Sequence, residues 1–192
     1  MTTLAVVQAG LGSPSSTQLL ATRLAEATAR LVPGLEVRTT HLRDVARDIA
    51  DNLVTGFPSA RLREVVESVV GADAVIAVTP TFNASYSGLF KSFVDVLEPE
   101  SLAGKPVLIG ATGGTERHSL VLDHALRPLF AYMRAIVVPT GVYAASSDWG
   151  AEGLPGRVDR AAGELADLLV GRAPAKPATD GFVPFDQLLA GR

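Results

Sequence analysis

Five times along this chain a short apolar run gives way to a helical pattern, and that alternation limits the fold more than any single motif does. Leu4-Ala5-Val6-Val7-Gln8-Ala9 reads as a strand, and Leu19, Leu20, Leu24, Ala27 and Leu31 then trace one helix face. Leu35 to Leu42 alternates, which predicts a less buried strand. Residues 43 to 60 are ambiguous, and Asn52 to Ala60, with Gly56 and Pro58, reads as a loop. Arg61 to Val70 is a second amphipathic helix, stopped by Gly71. Ala74-Val75-Ile76-Ala77-Val78 is the most apolar run and predicts a buried parallel strand, ended sharply at Thr79 by Pro80. Leu89, Phe93, Val94 and Leu97 stripe the helix after it. Lys105 to Ala111 predicts a fourth strand, about His118 to Met133 a helix, and Ile136 to Val142 a fifth strand bent or placed at an edge by Pro139. Val158 to Val170 is the last helix. Three α/β layers around a five-stranded parallel sheet follow, and right-handed crossovers favour the doubly wound order 2-1-3-4-5.

Composition closes off several functions. With 47% hydrophobic and 19% charged residues the chain is globular, and a net charge of −3 argues against nucleic acid as a partner. There is no cysteine, hence no disulfide, thiolate metal site or cysteine nucleophile. His41, His118 and His124 show no metal-ligand spacing, so no metal is expected. No apolar run has membrane-spanning length and no signal-peptide pattern opens the chain, so the expectation is a cytoplasmic protein without membrane contact. Residues 1–172 read as one domain and 173–192, rich in proline, as a tail.

In the order 2-1-3-4-5, the loops after strands one, three and four meet beside strand one, where open α/β sheets bind ligands. The first, Gly10 to Gln18, offers the hydroxyls of Ser13, Ser15, Ser16 and Thr17 at a helix N-terminus, a place for a phosphate. It contains no Lys or Arg. Ser16 alone could instead be a helix cap. The loop begins like a dinucleotide fingerprint, but Ser15 stands where the third glycine belongs, and no Walker pattern follows. The second loop, Thr79 to Gly88, mixes small polar groups at Asn83, Ser85 and Ser87 with the flat faces of Phe82 and Tyr86. That combination suits a planar, hydrogen-bonding heterocycle. The third is Thr112-Gly113-Gly114-Thr115. Arg117 and His118 just beyond it read either as contacts for a nicotinamide nucleotide's phosphate or as a solvated helix start. Lys91 and Asp95, four apart, read as a surface ion pair. Pro128 cannot donate to the carbonyl of His124, so a π-type irregularity is expected there.

Ser13-Pro14-Ser15-Ser16-Thr17, Thr79-Pro80-Thr81-Phe82-Asn83-Ala84-Ser85-Tyr86-Ser87-Gly88-Leu89-Phe90-Lys91, and Ala111-Thr112-Gly113-Gly114 with Leu122 to Pro128 together resemble the NAD(P)H-dependent FMN reductases. The likeness spans about residues 4 to 145 and is greatest to the flavin reductases of two-component monooxygenase systems. It implies a flavodoxin-like fold, with FMN as cofactor and NADPH or NADH as hydride donor. It also implies that Ser13, Ser15, Ser16, Thr17 and Gln18 hold the FMN phosphate. Pro80, Thr81, Phe82, Asn83, Ala84 and Ser85 would border the flavin ring, and Thr112, Gly113, Gly114 and Thr115 its other edge. Two positions depart from the family: it often has an Arg in the first loop, and a Tyr where Phe82 stands. The resemblance further implies a homodimer or homotetramer, a luciferase-like flavin-dependent monooxygenase as partner, and a modulating role for His124 at the subunit interface. No side chain is needed as a catalytic acid, base or nucleophile. Retention of FMN as a quinone or azo-compound reductase, and a non-enzymatic flavodoxin-like carrier, are the alternatives.

Overall fold

A computed structural model describes residues 1–171; the tail expected over 173–192 lies outside the described residues. Strands β1 (Thr3–Gln8), β2 (Glu36–His41), β3 (Ala74–Phe82), β4 (Ser85–Tyr86), β5 (Pro106–Gly113), β6 (Ile136–Val137) and β7 (Val142–Ala145) form the sheet. Its path is β2-β1-β3-β5-β6, with β7 also on β5 and β4 folded back on β3. The flavodoxin-like order is therefore as expected from the sequence, but seven strands replace five.

The extra strands have two causes. Pro139 has no N–H to give to a ladder, and it breaks the expected fifth strand into β6 and β7. Val137 pairs with Val107 and Val142 with Gly110, so five steps on one side face three on the other. The excess is an even number, which keeps the same residues on the same face of the sheet. The polar groups freed at the break find partners: Arg127 donates to the carbonyls of Val138 (3.0 Å) and Pro139 (2.9 Å), and the Glu164 carboxylate accepts from Thr140 N–H at 2.7 Å and its hydroxyl at 2.6 Å. The second cause is that β3 does not stop at Thr79 but runs to Phe82. Val78 O accepts from Ala9 N–H, so the donor position of Pro80, two residues on, also faces β1. β1 ends at Gln8, and the missing donor of Pro80 therefore costs no ladder bond.

Helices α1 (Ser16–Leu31) and α6 (Gly153–Val170) cover one face, burying Leu20, Leu24, Ala161 and Leu165 against Val6, Ile76 and Leu108. On the other face α2 (Ala46–Thr55), α3 (Ala60–Gly71), α4 (Gly88–Val96) and α5 (Arg127–Tyr132) bury Ile49, Leu62, Phe93 and Phe130 against Val7, Val75 and Ile109. Residues 46–55 are thus helical where a loop or no clear structure was expected. Ala46, Ile49, Ala50, Leu53 and Val54 do recur at helical spacing, but the breakers Gly56 and Pro58 close behind them obscured it, and of this stripe only Ile49 is buried. Phe90 rather than Leu89 is the buried residue at the start of α4. The helix expected from His118 to Met133 is divided into a 3-10 turn (Glu116–His118), a π segment (Leu122–Leu126) and α5. Arg127 N–H bonds Leu122 O, five residues back, which is the irregularity that Pro128 led us to expect. No described helix is long and apolar enough to cross a membrane.

Candidate active site

Three loops lie at the carboxyl ends of β1, β3 and β5; a side-chain bond joins the first to the third, and the second is closed on itself. The first loop leaves β1 at Gln8, whose side chain is buried and turns back to accept from Gly10 N–H at 2.7 Å. A Cβ on Gly10 would stand 2.1 Å from Ser15 Oγ and 2.8 Å from Gln8 Oε1, so only glycine fits this bend. Ser15, not Ser16, caps α1: its Oγ accepts from Gln18 N–H at 3.2 Å. That correction leaves Ser16 exposed and uncommitted, together with Ser13 and Gln18. Thr17 is 2% exposed, and its hydroxyl bonds that of Thr112 at 2.8 Å. Thr17 therefore ties the first loop to the third, and its side chain is spent there.

The second loop is a hairpin. Thr81 pairs with Tyr86 and Phe82 with Ser85, while Asn83 (φ 47°) and Ala84 (φ 67°) make the two-residue left-handed turn such hairpins require. Thr79 closes its base, accepting from Ser87 N–H at 3.0 Å and donating to Pro80 O at 2.9 Å. Ser87 Oγ then caps α4 by accepting from Phe90 N–H at 3.2 Å. The loop is thus built to a fixed shape, with Phe82 left 46% exposed beside it.

The third loop is set by a residue that sequence reading missed. Tyr143, on β7, lies under the loop, and its hydroxyl donates to Thr115 O at 2.8 Å. Burial raises its phenol above the ordinary value, so it stays protonated and able to donate. A Cβ on Gly113 would lie 2.1 Å from that hydroxyl. The Thr81 hydroxyl, buried beside that of Tyr143, brings the hairpin up against the third loop. Arg117 donates to Thr115 Oγ1 at 3.3 Å, while His118 is half-buried in the same turn. His124 is exposed on the π segment.

Ser13, Ser15, Ser16 and Gln18 line a cleft of about 570 Å³ with Pro14, Leu19, Thr22 and Trp149. Trp149 was also missed, although it is the chain's only tryptophan. Arg23 lies over its ring at 5.1 Å. A larger cleft, about 640 Å³, lies between α4 and α5 and is lined by Val94, Leu97, Leu129, Tyr132 and Met133 among others, away from the three loops. The residues at the loops fit FMN: the exposed neutral hydroxyls of Ser13 and Ser16 and the N–H donors at a helix N-terminus suit a phosphate, and Phe82 offers an apolar face.

Residues 2–150 match the family model described as NADPH-dependent FMN reductase. An FMN reductase (NADPH) of Pseudomonas aeruginosa is 37% identical over 172 residues, which are 87% of this chain and 92% of that protein. The NADH-dependent FMN reductase SfnF of Pseudomonas putida is 37% identical over 139 residues, covering 72% of this chain and 75% of its own length. The X-ray structure of an oxidoreductase from Corynebacterium diphtheriae superposes with a TM-score of 0.88 at 44% identity, over 90% of this chain and 99% of that one. With the family model spanning residues 2–150 and a relative 37% identical over 87% of this sequence, the chain belongs to the NADPH-dependent FMN reductase family.

Proposed function

We infer that this protein is an NAD(P)H:FMN oxidoreductase whose reduced flavin serves a flavin-dependent monooxygenase of the luciferase-like class. The observation that carries the reductase reading is the Thr17–Thr112 bond, which joins the hydroxyl-rich helix N-terminus to the loop facing the hairpin. That link supports a reading in which one phosphate and one flat ring are held a fixed distance apart. When bound, FMN supplies a ring that accepts hydride from NADPH or NADH, so the chemistry belongs to the cofactors. The chain's own part is to hold and orient. Exposed Ser13 and Ser16 and the N–H groups of the loop receive the phosphate. The closed hairpin and Tyr143 keep the two ring-bordering loops from moving apart.

The test is oxidation of NADPH and of NADH with and without added free FMN. We expect the rate to rise with FMN and to fall to background in its absence. Turnover with quinone or an azo dye alone would make the protein a reductase that keeps its flavin. No turnover at all would make it a carrier. Coupled production of a monooxygenase product on adding such an enzyme supports the partner assignment, and failure of reduced flavin to support it removes that assignment.

Surface chemistry supports assembly into a homo-oligomer. Tyr132, 84% exposed, lines the cleft between α4 and α5, and Leu120, just before the π segment, is 60% exposed. Lys91 and Asp95, bonded at 2.6 Å, edge the same cleft as an exposed ion pair. An apolar groove with a polar rim is the composition of a subunit interface. We expect light scattering at micromolar concentration to give a multiple of the 20.0 kDa chain mass, and a monomer mass would refute this.

A further inference from the structure

The phosphate loop has no cation of its own between Gly10 and Gln18, yet one reaches it from the neighbouring strand. β2 runs beside β1 in register from Thr3↔Glu36 to Gln8↔His41, so the turn after His41 comes level with the start of the loop. Arg43 stands in that turn, and its Nη1 donates to the carbonyl of Leu11 at 3.2 Å and of Gly12 at 3.4 Å. Its own carboxylate neighbour, Asp44, is 3.9 Å away with both side chains about half exposed, so solvent weakens that pair. A second anchor acts from the same strand: the Gln8 amide that accepts from Gly10 also meets Nδ1 of His41.

The direction of these bonds matters. In a planar trans peptide the N–H points opposite to the C=O. Two carbonyls turned to Arg43 therefore turn the N–H groups of Gly12 and Ser13 to the other side of the loop. The cleft lined by Ser13 and Ser16 does not have Arg43 on its wall. Guanidinium, two aligned peptide dipoles and the hydroxyl-lined side thus form a series, with the positive end of each dipole presented away from the cation.

We propose that Arg43 is a positioning residue for the FMN phosphate: it acts from behind the loop, through the Leu11–Gly12 and Gly12–Ser13 peptides, and supplies the charge the loop itself lacks. The proposal rests on reading this loop as the phosphate site. It is tested by titrating the full-length protein with FMN and with riboflavin, which lacks the phosphate, following flavin fluorescence. Arg43→Ala is expected to lose about five- to tenfold in FMN affinity, less than a direct charge-assisted hydrogen bond would give because the charge acts through two peptides, with riboflavin unchanged. KM for FMN should rise at constant kcat. Arg43→Gln keeps a donor without the charge and should lose nearly as much, whereas Arg43→Lys should keep most of the affinity.

An Arg43→Ala protein with the parent ratio of FMN to riboflavin affinity overturns the proposal. So does an equal loss for both ligands, which would mean that Arg43 only holds the loop, and so does full FMN affinity in Arg43→Gln. If the parent protein itself binds riboflavin as tightly as FMN, it is the phosphate reading of the loop that fails, and the role of Arg43 falls with it.

Discussion

Gly113→Ala should cost about 2 kcal/mol of stability, as overpacking of a close contact does, and should abolish detectable FMN binding at micromolar flavin. The added methyl would stand 2.1 Å from the Tyr143 hydroxyl and 3.2 Å from Tyr143 Cζ. Tyr143 cannot yield easily, because its ring is 6% exposed between β5 and the core and its hydroxyl is committed to Thr115 O. The loop must move instead, and with it the edge of the site made by Thr112 to Thr115. The diagnostic is rescue. Tyr143→Phe removes the oxygen that clashes, so the double variant should regain most of the stability and much of the flavin affinity. Tyr143→Phe alone should cost about 1 kcal/mol for the lost hydrogen bond. Chemical denaturation and flavin titration of the four proteins decide the matter. If Gly113→Ala binds FMN like the parent, or the double variant is no better than the single, Tyr143 does not set this loop.

The largest loss of stability is expected at Phe90. Its ring is 1% exposed and lies between Tyr86 of the hairpin, at 6.1 Å, and Phe130 of α5, at 6.2 Å in an edge-on arrangement. It therefore joins the second loop to the helix that follows the π segment. Phe90→Ala should cost about 4 kcal/mol, combining lost burial with the cavity left behind, while Phe90→Leu should cost roughly half of that. Urea unfolding followed by circular dichroism measures both. A cost below about 1 kcal/mol for Phe90→Ala would show that the surrounding helices close over the gap, and that the aromatic cluster is not what joins the loop to the helix.

Periodicity was legible wherever burial was one-sided or complete. β3 and β5 read as buried runs because helices cover both faces of the sheet, and α1 and α6 read as stripes because they lie on it. α2 was overlooked although Ala46, Ile49, Ala50, Leu53 and Val54 keep helical spacing, because the stripe is only ten residues long and runs straight into Gly56 and Pro58, which read as a loop. The π segment was legible from Pro128, since a missing donor is a local fact of covalent structure. The roles within the loops were only partly so. Four neighbouring hydroxyls marked the phosphate loop, but nothing local distinguishes Ser15 as the cap, Thr17 as the buried tie or Ser16 as the exposed group.

Taken by itself, the sequence determined what depends on neighbours within a few residues: the strand and helix alternation, the strand order that right-handed crossovers then permit, the break at Pro139 and the hydroxyl-rich helix start. The tertiary structure alone decided which groups meet across long separations. Thr17 finds Thr112 at 95 residues' distance, Tyr143 finds Thr115 at 28 and Arg43 finds Leu11 at 32. These contacts depend on register between strands and on a two-residue excess in the broken fifth strand, and neither leaves a mark in any short window of the chain. Single hydrogen bonds of this kind contribute too little to impose a pattern on sequence, yet they are what hold three separate loops in one shape.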